Sequence, residues 1–284
     1  MIITHDQQTL LAGFHCRRIK EVPIGLVHSI KGKVIEGEES NLASLFKSKK
    51  TYEEDLADVL ASYVIVTSND EPLGFFSLRC GELYKRVDLN KMELAHKAWN
   101  AMKRMRSTSL LSAAEREECI NAIRDAFKAG ITTPDEMQLF ATKSANYERD
   151  KKMWSGHNIE QVSQVFPAVE LNLFGVNELA LPLWSSYELP QRFGESIFWQ
   201  VVVGQIETVC NVVGCQYVYL FAADKDPDGE LVNYYTTRLH FKSELDLNAN
   251  KPNFDFNCRF MYQEVATLKK YKQYFFDHFN AVSR

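Results

Sequence analysis

The sequence lacks the signatures of several common protein classes. Its six cysteines form neither a Cys-x-x-Cys pair nor a Cys/His zinc spacing, so neither a disulfide framework nor a structural metal site is expected. It contains no Gly-x-Ser-x-Gly, Walker or dinucleotide-binding fingerprint. No apolar run approaches the length of a membrane span, and no basic segment followed by a long apolar stretch opens the chain. We therefore expect a cytoplasmic protein with free thiols, no metal and no membrane association.

The chain also lacks a strong excess of charge of either sign. Lys and Arg number 33 against 37 Asp and Glu, which gives a net charge of -4. This balance provides no bulk attraction to nucleic acid, so a nucleic-acid partner is not favoured. With 284 residues, of which 45% are hydrophobic and 25% charged, the composition is that of a globular protein with one or two domains.

Three segments of the chain differ in character. The first, residues 1–81, contains the β-branched and aromatic run Tyr63–Thr67, a cluster of turn formers, and a second apolar run, Leu73–Leu78. This order predicts a β-hairpin. Residues 82–165 are charged, Met-rich and helical in period, and strand-like runs return within residues 166–284.

The middle segment is predicted to hold three helices. Ser112 and Glu115 match a capping box, Gly130 closes the apolar stripe that follows, and Thr133-Pro134 begins another helix. Because strand-like runs flank this segment on both sides, we interpret residues 82–165 as a helical insertion between two halves of one sheet. Whether it forms a lid over an acceptor or a surface for partner docking stays open.

The last segment predicts alternating strands and helices. A strand over Val169–Asn177 precedes a mostly apolar helix over Glu195–Val213, for which Gly214 is the residue after the C-terminus. The nearly all-apolar run Gln216–Ala223 is typical of a central strand covered on both faces. Three further elements are predicted in order: a short helix over Glu230–Arg238, a strand over Phe254–Val265 and a closing helix over Leu268–Phe279.

A glycine turn precedes the long apolar helix. It reads Gln191-Arg192-Phe193-Gly194-Glu195-Ser196 and leads into Ile197. Backbone N–H groups at a helix N-terminus favour anions, Arg192 adds a forked cation, and Gly194 permits close approach of the backbone. The pattern indicates a phosphate site, with ordinary turn chemistry as the alternative.

Several motifs together resemble the GNAT acetyltransferase superfamily. The glycine turn is similar to its acetyl-CoA loop, Gln/Arg-x-x-Gly-x-Gly/Ala, with Ser196 departing at the last position. The strand that contains Phe174, Gly175 and Val176 looks like its splayed fourth strand. The pair Tyr234-Tyr235, followed by His240-Phe241, resembles its closing signature, with histidine where glycine is usual and one extra residue. The likeness covers roughly residues 40–81 and 166–265.

The resemblance implies a fold, an activity and a set of site residues. The fold is α/β (α+β): a GNAT-like mixed, mostly antiparallel sheet flanked by helices, here with a helical insertion. The activity is acetyl-CoA-dependent N-acyltransfer to an amine by direct attack on the thioester. Glu170 is then the candidate general base, Tyr235 the candidate proton donor to the thiolate and Tyr234 its alternate. The cofactor-binding set comprises Phe174, Gly175, Val176, Gln191, Arg192, Phe193, Gly194, Glu195, Ser196 and Ile197.

Alternative interpretations remain at this stage. Glu170 could be a solvated carboxylate at a strand end, and Tyr235 a packed aromatic residue. The whole protein could be a catalytically silent CoA-binding or partner-docking module. A toxin-like acetyltransferase acting on charged tRNA is a further alternative, against which the acidic net charge and the large insertion argue. The acceptor amine is not revealed, and a homodimer is left open.

Overall fold

The computed structural model describes most of the chain in two compact units. The described residues are 5–32, 34–35, 38–39, 41–86, 89–107, 111–142, 162–189, 191–223, 229–243, 247–249 and 258–279. One unit combines residues 1–83 with 165–284, and the other comprises residues 84–164.

The elements follow one another in this order. The first part contains α1 His5–Ala12, β1 His15–Arg18, a 3₁₀ turn Ile19–Glu21, α2 Ile24–His28, β2 Val34–Ile35, β3 Glu38–Glu39, α3 Asn41–Phe46, α4 Lys49–Leu56, β4 Ala61–Val66 and β5 Pro72–Arg86. The middle part contains α5 Leu89–Ser107, α6 Ala113–Lys128 and α7 over residues 134–142. The last part contains β6 Val162–Val176, a 3₁₀ turn Glu178–Ala180, α8 Leu181–Ser186, α9 Phe193–Ile197, a π-helical turn Phe198–Val202, α10 Val203–Val213, β7 Tyr217–Ala222, α11 Glu230–Thr237, β8 Arg259–Glu264 and α12 Val265–Phe279.

A six-stranded sheet in the order β1-β4-β5-β6-β7-β8 organises the first unit. The pairs β1–β4, β4–β5 and β7–β8 are antiparallel, whereas β6–β7 is parallel. The predicted hairpin is β4–β5, and the predicted central strand is β7, which lies between β6 and β8. A separate two-stranded sheet pairs β2 with β3.

Two contacts show how β5 and β6 are oriented. The N–H of Asn177, directly after β6, donates to the carbonyl of Leu73 at the start of β5 over 2.8 Å. Arg79, farther along β5, bonds Glu170, which lies earlier in β6. The two strands therefore run antiparallel. The sheet is mixed and mostly antiparallel and is flanked by helices, which confirms the predicted α/β (α+β) class.

The main core lies between one face of the sheet and a long apolar helix. Alternate residues of β6 and β7 belong to one buried cluster with residues of α9, the π turn and α10: Val169, Leu171, Val218, Leu220, Ile197, Phe198, Val202 and Ile206. Each strand residue on this face removes apolar surface from water. This burial stabilises the fold by about 25 cal/mol for each Å² of apolar surface. The same burial holds the helix that connects β6 to β7 against the sheet.

The long helix is continuous from Phe193 to Val213. Gly214 ends it in the left-handed conformation (φ 74°), and its N–H bonds the carbonyl of Cys210 over 2.8 Å, as a glycine after a helix C-terminus does. Among the described residues, this is the one helix whose length and composition would allow it to cross a membrane. Half of its most apolar 18-residue stretch is buried inside the protein. Core helices of globular proteins meet the same criterion, so the finding is weak support for a membrane span.

The second unit contains the three helices predicted for the insertion. The capping box is present, since the Ser112 hydroxyl accepts from the N–H of Glu115 and the Glu115 carboxylate accepts from the N–H of Ser112. Gly130 lies two residues after the end of α6 and has the left-handed conformation (φ 78°). Trp99 and Met102 pack against a small buried cluster within this unit. The role of residues 82–165 as a lid or docking surface stays a prediction.

Candidate functional site

The parallel strands β6 and β7 separate after a short stretch of pairing. Their register joins Ala168 to Tyr217, Val169 to Val218 and Glu170 to Tyr219. Beyond Glu170, β6 continues to Val176 while β7 pairs with β8 as far as Ala222. The described part of β6 after Glu170 is therefore paired on its β5 side and has no β7 partner. Its backbone N–H and C=O groups can bind an extended ligand as a strand would.

The part of β6 without a β7 partner holds Phe174, Gly175 and Val176, three residues of the predicted cofactor-binding set. The Phe174 ring lies 5.6 Å from that of Phe198, between ring centroids. Gly175 approaches β5 so closely that a Cβ placed on it would lie 2.6 Å from the Phe75 ring. Glycine at this position is therefore required by packing across the sheet. Along the edge of β6 that faces β7, a ligand would be bound by backbone N–H and C=O groups, which require no particular side chain.

The N-terminus of the long helix lies at the end of this strand. Arg192 is the N-cap residue and makes no side-chain capping bond. The Ser196 N–H donates to the Arg192 carbonyl over 3.0 Å, which begins the helical hydrogen bonding at this end. The N–H groups of Phe193, Gly194 and Glu195 precede it and have no acceptor within the helix. They form an anion-binding end of the helix dipole.

Two neighbours of Gly194 connect this helix end to the rest of the site. A Cβ placed on Gly194 would lie 3.4 Å from Cγ1 of Val176 and 3.5 Å from the Tyr234 hydroxyl oxygen. Burial raises the pKa of Glu195, and the positive charges of Arg238 and Arg192 oppose that shift. The helix end thus combines two exposed guanidinium groups with a partly buried carboxylate.

The other predicted loop residues differ in what they can contribute. Ser196 is buried, and its hydroxyl donates to the Arg192 carbonyl over 3.1 Å. Ile197 is fully buried and packs against Gly74 of β5. Gln191 is partly buried directly before the N-cap. The helix end can therefore present three backbone N–H groups, whereas Ser196 and Ile197 hold the helix on the sheet.

The thirteen-residue connection 178–190 does not move the helix away from the strand. The Asn177 side chain donates to the Pro72 carbonyl over 2.7 Å and fixes the chain as it leaves β6. Within the connection, the Trp184 ring stacks on Phe193 at 5.0 Å between centroids. The added residues form α8 and pack on the core, so the helix still begins beside Val176.

The two tyrosines of α11 occupy different surroundings. The Tyr234 hydroxyl lies beside Gly194, and burial, followed by the charge of Glu195, raises the pKa of Tyr234. Tyr235 is buried and packs edge-on against Phe241 at 6.0 Å between centroids. Burial raises the pKa of Tyr235 to about 12, so its hydroxyl keeps its proton at neutral pH. Neither hydroxyl forms a hydrogen bond with the described residues.

Glu170 is neither solvated nor alone. It is buried, and its Oε2 accepts from Arg79 Nη2 at 2.8 Å, from Arg79 Nε at 3.2 Å and from the Tyr219 hydroxyl at 3.1 Å. The three residues belong to β5, β6 and β7 and form a row across the sheet. The charge of Arg79 compensates that of the buried carboxylate. This row was missed from the sequence because Tyr219 belongs to an apolar strand and Arg79 gives no local signal.

His240 has a backbone conformation that favours glycine, the residue usual at this position of the resembled signature. Its φ of 58° lies in the left-handed region. Its ring stacks on Tyr271 at 3.8 Å between centroids, and its carbonyl accepts from the Gln263 side chain. The departure from the resembled signature therefore preserves the turn between α11 and Phe241.

A pair of substitutions at His240 isolates this backbone strain. Both His240→Ala and His240→Gly remove the stacked ring, but only alanine keeps a Cβ that disfavours the left-handed region. After the opposing gain in unfolded-state entropy, we expect the alanine variant to unfold with roughly 0.5–1 kcal/mol less free energy than the glycine variant. Urea denaturation of both proteins measures the difference. An alanine variant as stable as the glycine variant would show that the left-handed conformation causes no strain at position 240.

Comparison with known proteins adds likenesses of structure. No family model matches the sequence, and no curated protein matches it. A mutant of the AtaT toxin is 9% identical, with 92% of this chain and 94% of that chain covered and a TM-score of 0.46. A mutant of KacT is 13% identical over 91% and 99% of the two chains, with a TM-score of 0.42. AtaTR bound with AcCoA is 10% identical over 82% and 86%, with a TM-score of 0.38.

Proposed function

We propose that the protein is an acetyl-CoA-dependent N-acyltransferase that transfers an acetyl group to an amine. The observation that carries this proposal is the separation of β6 from β7 after Glu170, next to the N-terminus of the long helix. An open strand edge can pair with an amide-containing arm, and the helix end can bind the pyrophosphate to which that arm is attached. AtaTR was solved with AcCoA, but support for the proposal comes from this chain's own site.

The residues at the helix end suit a pyrophosphate. Its negative charge would meet the N–H groups of Phe193, Gly194 and Glu195, with the guanidinium groups of Arg192 and Arg238 nearby. The carboxylate of Glu195 is an unfavourable charge at this helix end, and both arginines lie close enough to offset it. Charge-assisted hydrogen bonds of this kind contribute about 1.5–3 kcal/mol each.

Acyl transfer to an amine requires two proton transfers, one to Glu170 and one from Tyr235. Acetyl-CoA supplies the activated acyl group. The amine nitrogen attacks the carbonyl carbon, the new C–N bond forms and the C–S bond breaks. Glu170 accepts the proton that the amine loses, and Tyr235, the candidate acid, donates one to the departing sulfur. The protonated state of Tyr235 at neutral pH suits this role.

Binding of CoA to a Gly194→Trp variant tests the phosphate site. The indole would fill the gap between Val176 and the Tyr234 hydroxyl, so we expect the Kd for CoA to rise about 10- to 100-fold. Gly25→Trp is the matched control, because a Cβ at Gly25 would meet nothing within 4 Å. Calorimetry with free CoA gives both affinities. Equal affinities in the two variants would refute the assignment of the phosphate site.

Release of free thiol from acetyl-CoA, measured with a panel of amines, tests the transfer itself. Amine-dependent release is the expected result. Retained CoA binding without thiol release under any of the amines would instead support a CoA-binding module. A panel that includes charged tRNA covers the remaining alternative, since AtaT has been solved with acetyl-methionyl-tRNA.

A further inference from the structure

We propose that Arg79 and Tyr219 are positioning residues that hold Glu170 by one carboxylate oxygen, Oε2, and reserve the other, Oε1, for the amine of the acceptor. The inference rests on the proposed function, in which Glu170 is the base. It adds two residues outside the resembled motifs and assigns different roles to the two oxygens of one carboxylate.

The hydrogen bonds around Glu170 are unequally distributed. An arginine usually binds a carboxylate as a fork, with one N–H on each oxygen. Here Nε and Nη2 of Arg79 both converge on Oε2, at 3.2 and 2.8 Å, and the Tyr219 hydroxyl adds a third donor at 3.1 Å. None of the described residues donates to Oε1. One oxygen therefore carries all the structural bonds, and the lone pairs of the other remain for a ligand.

The row lies at the point where the strands separate. Glu170 and Tyr219 form the last pair in the β6–β7 register, and Arg79 approaches from β5 on the opposite side. The Glu170 side chain is 3% exposed and that of Arg79 is 38% exposed. A carboxylate clamped from both neighbouring strands keeps a single position at the closed end of the opening, where an acyl group held along β6 would end.

Gly81 provides the space for the Tyr219 hydroxyl. A Cβ placed on Gly81 would lie 2.2 Å from the hydroxyl oxygen and 2.8 Å from Cε1 of the ring. Any side chain at this position would displace the tyrosine. The glycine thus shapes the clamp without contacting Glu170.

Tyr219 acts as a donor that keeps its proton. Burial and the neighbouring Glu170 charge raise the pKa of Tyr219, so the hydroxyl remains protonated throughout the working range of an amine acyltransferase. The proton from the amine goes to Oε1 of Glu170 and then to solvent, and Tyr219 neither gains nor loses one. Its function is to fix the position of the carboxylate.

Tyr219→Phe removes this donor while keeping the ring. Loss of one of the three donors to Oε2 leaves the carboxylate less well held, so kcat for amine-dependent thiol release should fall about tenfold. The Kd for CoA should stay unchanged, because the substitution lies away from the helix end. A wild-type kcat, or a loss of CoA affinity that matches the loss of activity, would overturn the proposal.

Gly81→Ala is the second variant, since it keeps the hydroxyl but displaces it. We expect the same loss of kcat with an unchanged Kd for CoA as for Tyr219→Phe. A merely structural clamp would lower the melting temperature of both variants and leave the kcat of the folded proteins at the wild-type value. That result would overturn the proposal.

A carboxyl ¹³C spectrum without substrate separates this inference from the proposed function. The ¹³C signal of the Glu170 side-chain carboxyl, assigned by its loss in Glu170→Gln, should move in Tyr219→Phe and in Gly81→Ala, because both variants change the donors at Oε2. Absence of thiol release from wild-type protein would refute the proposed function while this spectrum still tests the clamp. An unchanged carboxyl signal in both variants would refute the clamp, whatever the activity.

Discussion

Tyr235→Phe should lower kcat by about 10²–10⁴-fold and leave the Kd for CoA nearly unchanged. The substitution removes only the hydroxyl group from a buried ring, and general acid catalysis contributes that range. Burial raises the pKa of Tyr235 to about 12, so the wild-type hydroxyl is a donor at any pH used for the assay. Steady-state thiol release, together with CoA calorimetry, measures both quantities.

Tyr234→Phe is the control for this experiment. Its hydroxyl lies beside Gly194 at the helix N-terminus, so its loss should weaken CoA binding about tenfold and affect kcat little. The two tyrosines are adjacent in sequence, and their expected effects fall on different kinetic constants. If Tyr234→Phe lost kcat and Tyr235→Phe kept it, the acid would be Tyr234. Full activity in both variants would contradict general acid catalysis by this pair.

Glu170→Gln should lower kcat/KM by about 10²–10⁴-fold. The amide keeps the shape of the carboxylate, and its carbonyl oxygen can still accept from Arg79 and Tyr219, but it cannot take a proton from the amine. The fold should therefore persist while proton transfer fails. A pH profile of thiol release at saturating acetyl-CoA measures the effect.

The matched control is Glu53→Gln, on the exposed surface of α4, where Glu53 pairs with Lys49. That variant should keep the wild-type rate and profile. A Glu170→Gln protein with a wild-type profile would show that another group or a water molecule is the base. The positions of Arg79 and Tyr219 would then serve stability alone.

Local chemistry explains why much of the fold could be predicted from the sequence. The capping box at Ser112 and Glu115 and the glycine at 214 determine helix ends through contacts a few residues apart. The hairpin follows from two apolar runs around a short turn. These signals are contained in neighbouring residues, and the structure confirms them.

Features that depend on distant residues could not be predicted. β1 has the sequence His-Cys-Arg-Arg, without a strand-like pattern, and exists because it pairs with β4. Arg79 and Tyr219 lie far from Glu170 in sequence and become its partners only across the sheet. The effect of the connection 178–190 depends on the packing of Trp184, which spacing alone does not reveal.

The π-helical turn Phe198–Val202 gives the long helix one more residue than a regular α-helix would need to reach the same end point. In an α-helix each residue turns the chain by about 100°, so losing one would rotate Gly194 and Glu195 away from β6 relative to the core-facing end of α10. Within the π turn, a one-residue deletion would instead restore regular winding and leave both ends facing as before. The turn therefore marks the place where this helix can change length over evolutionary time without disturbing either the anion-binding end or the core.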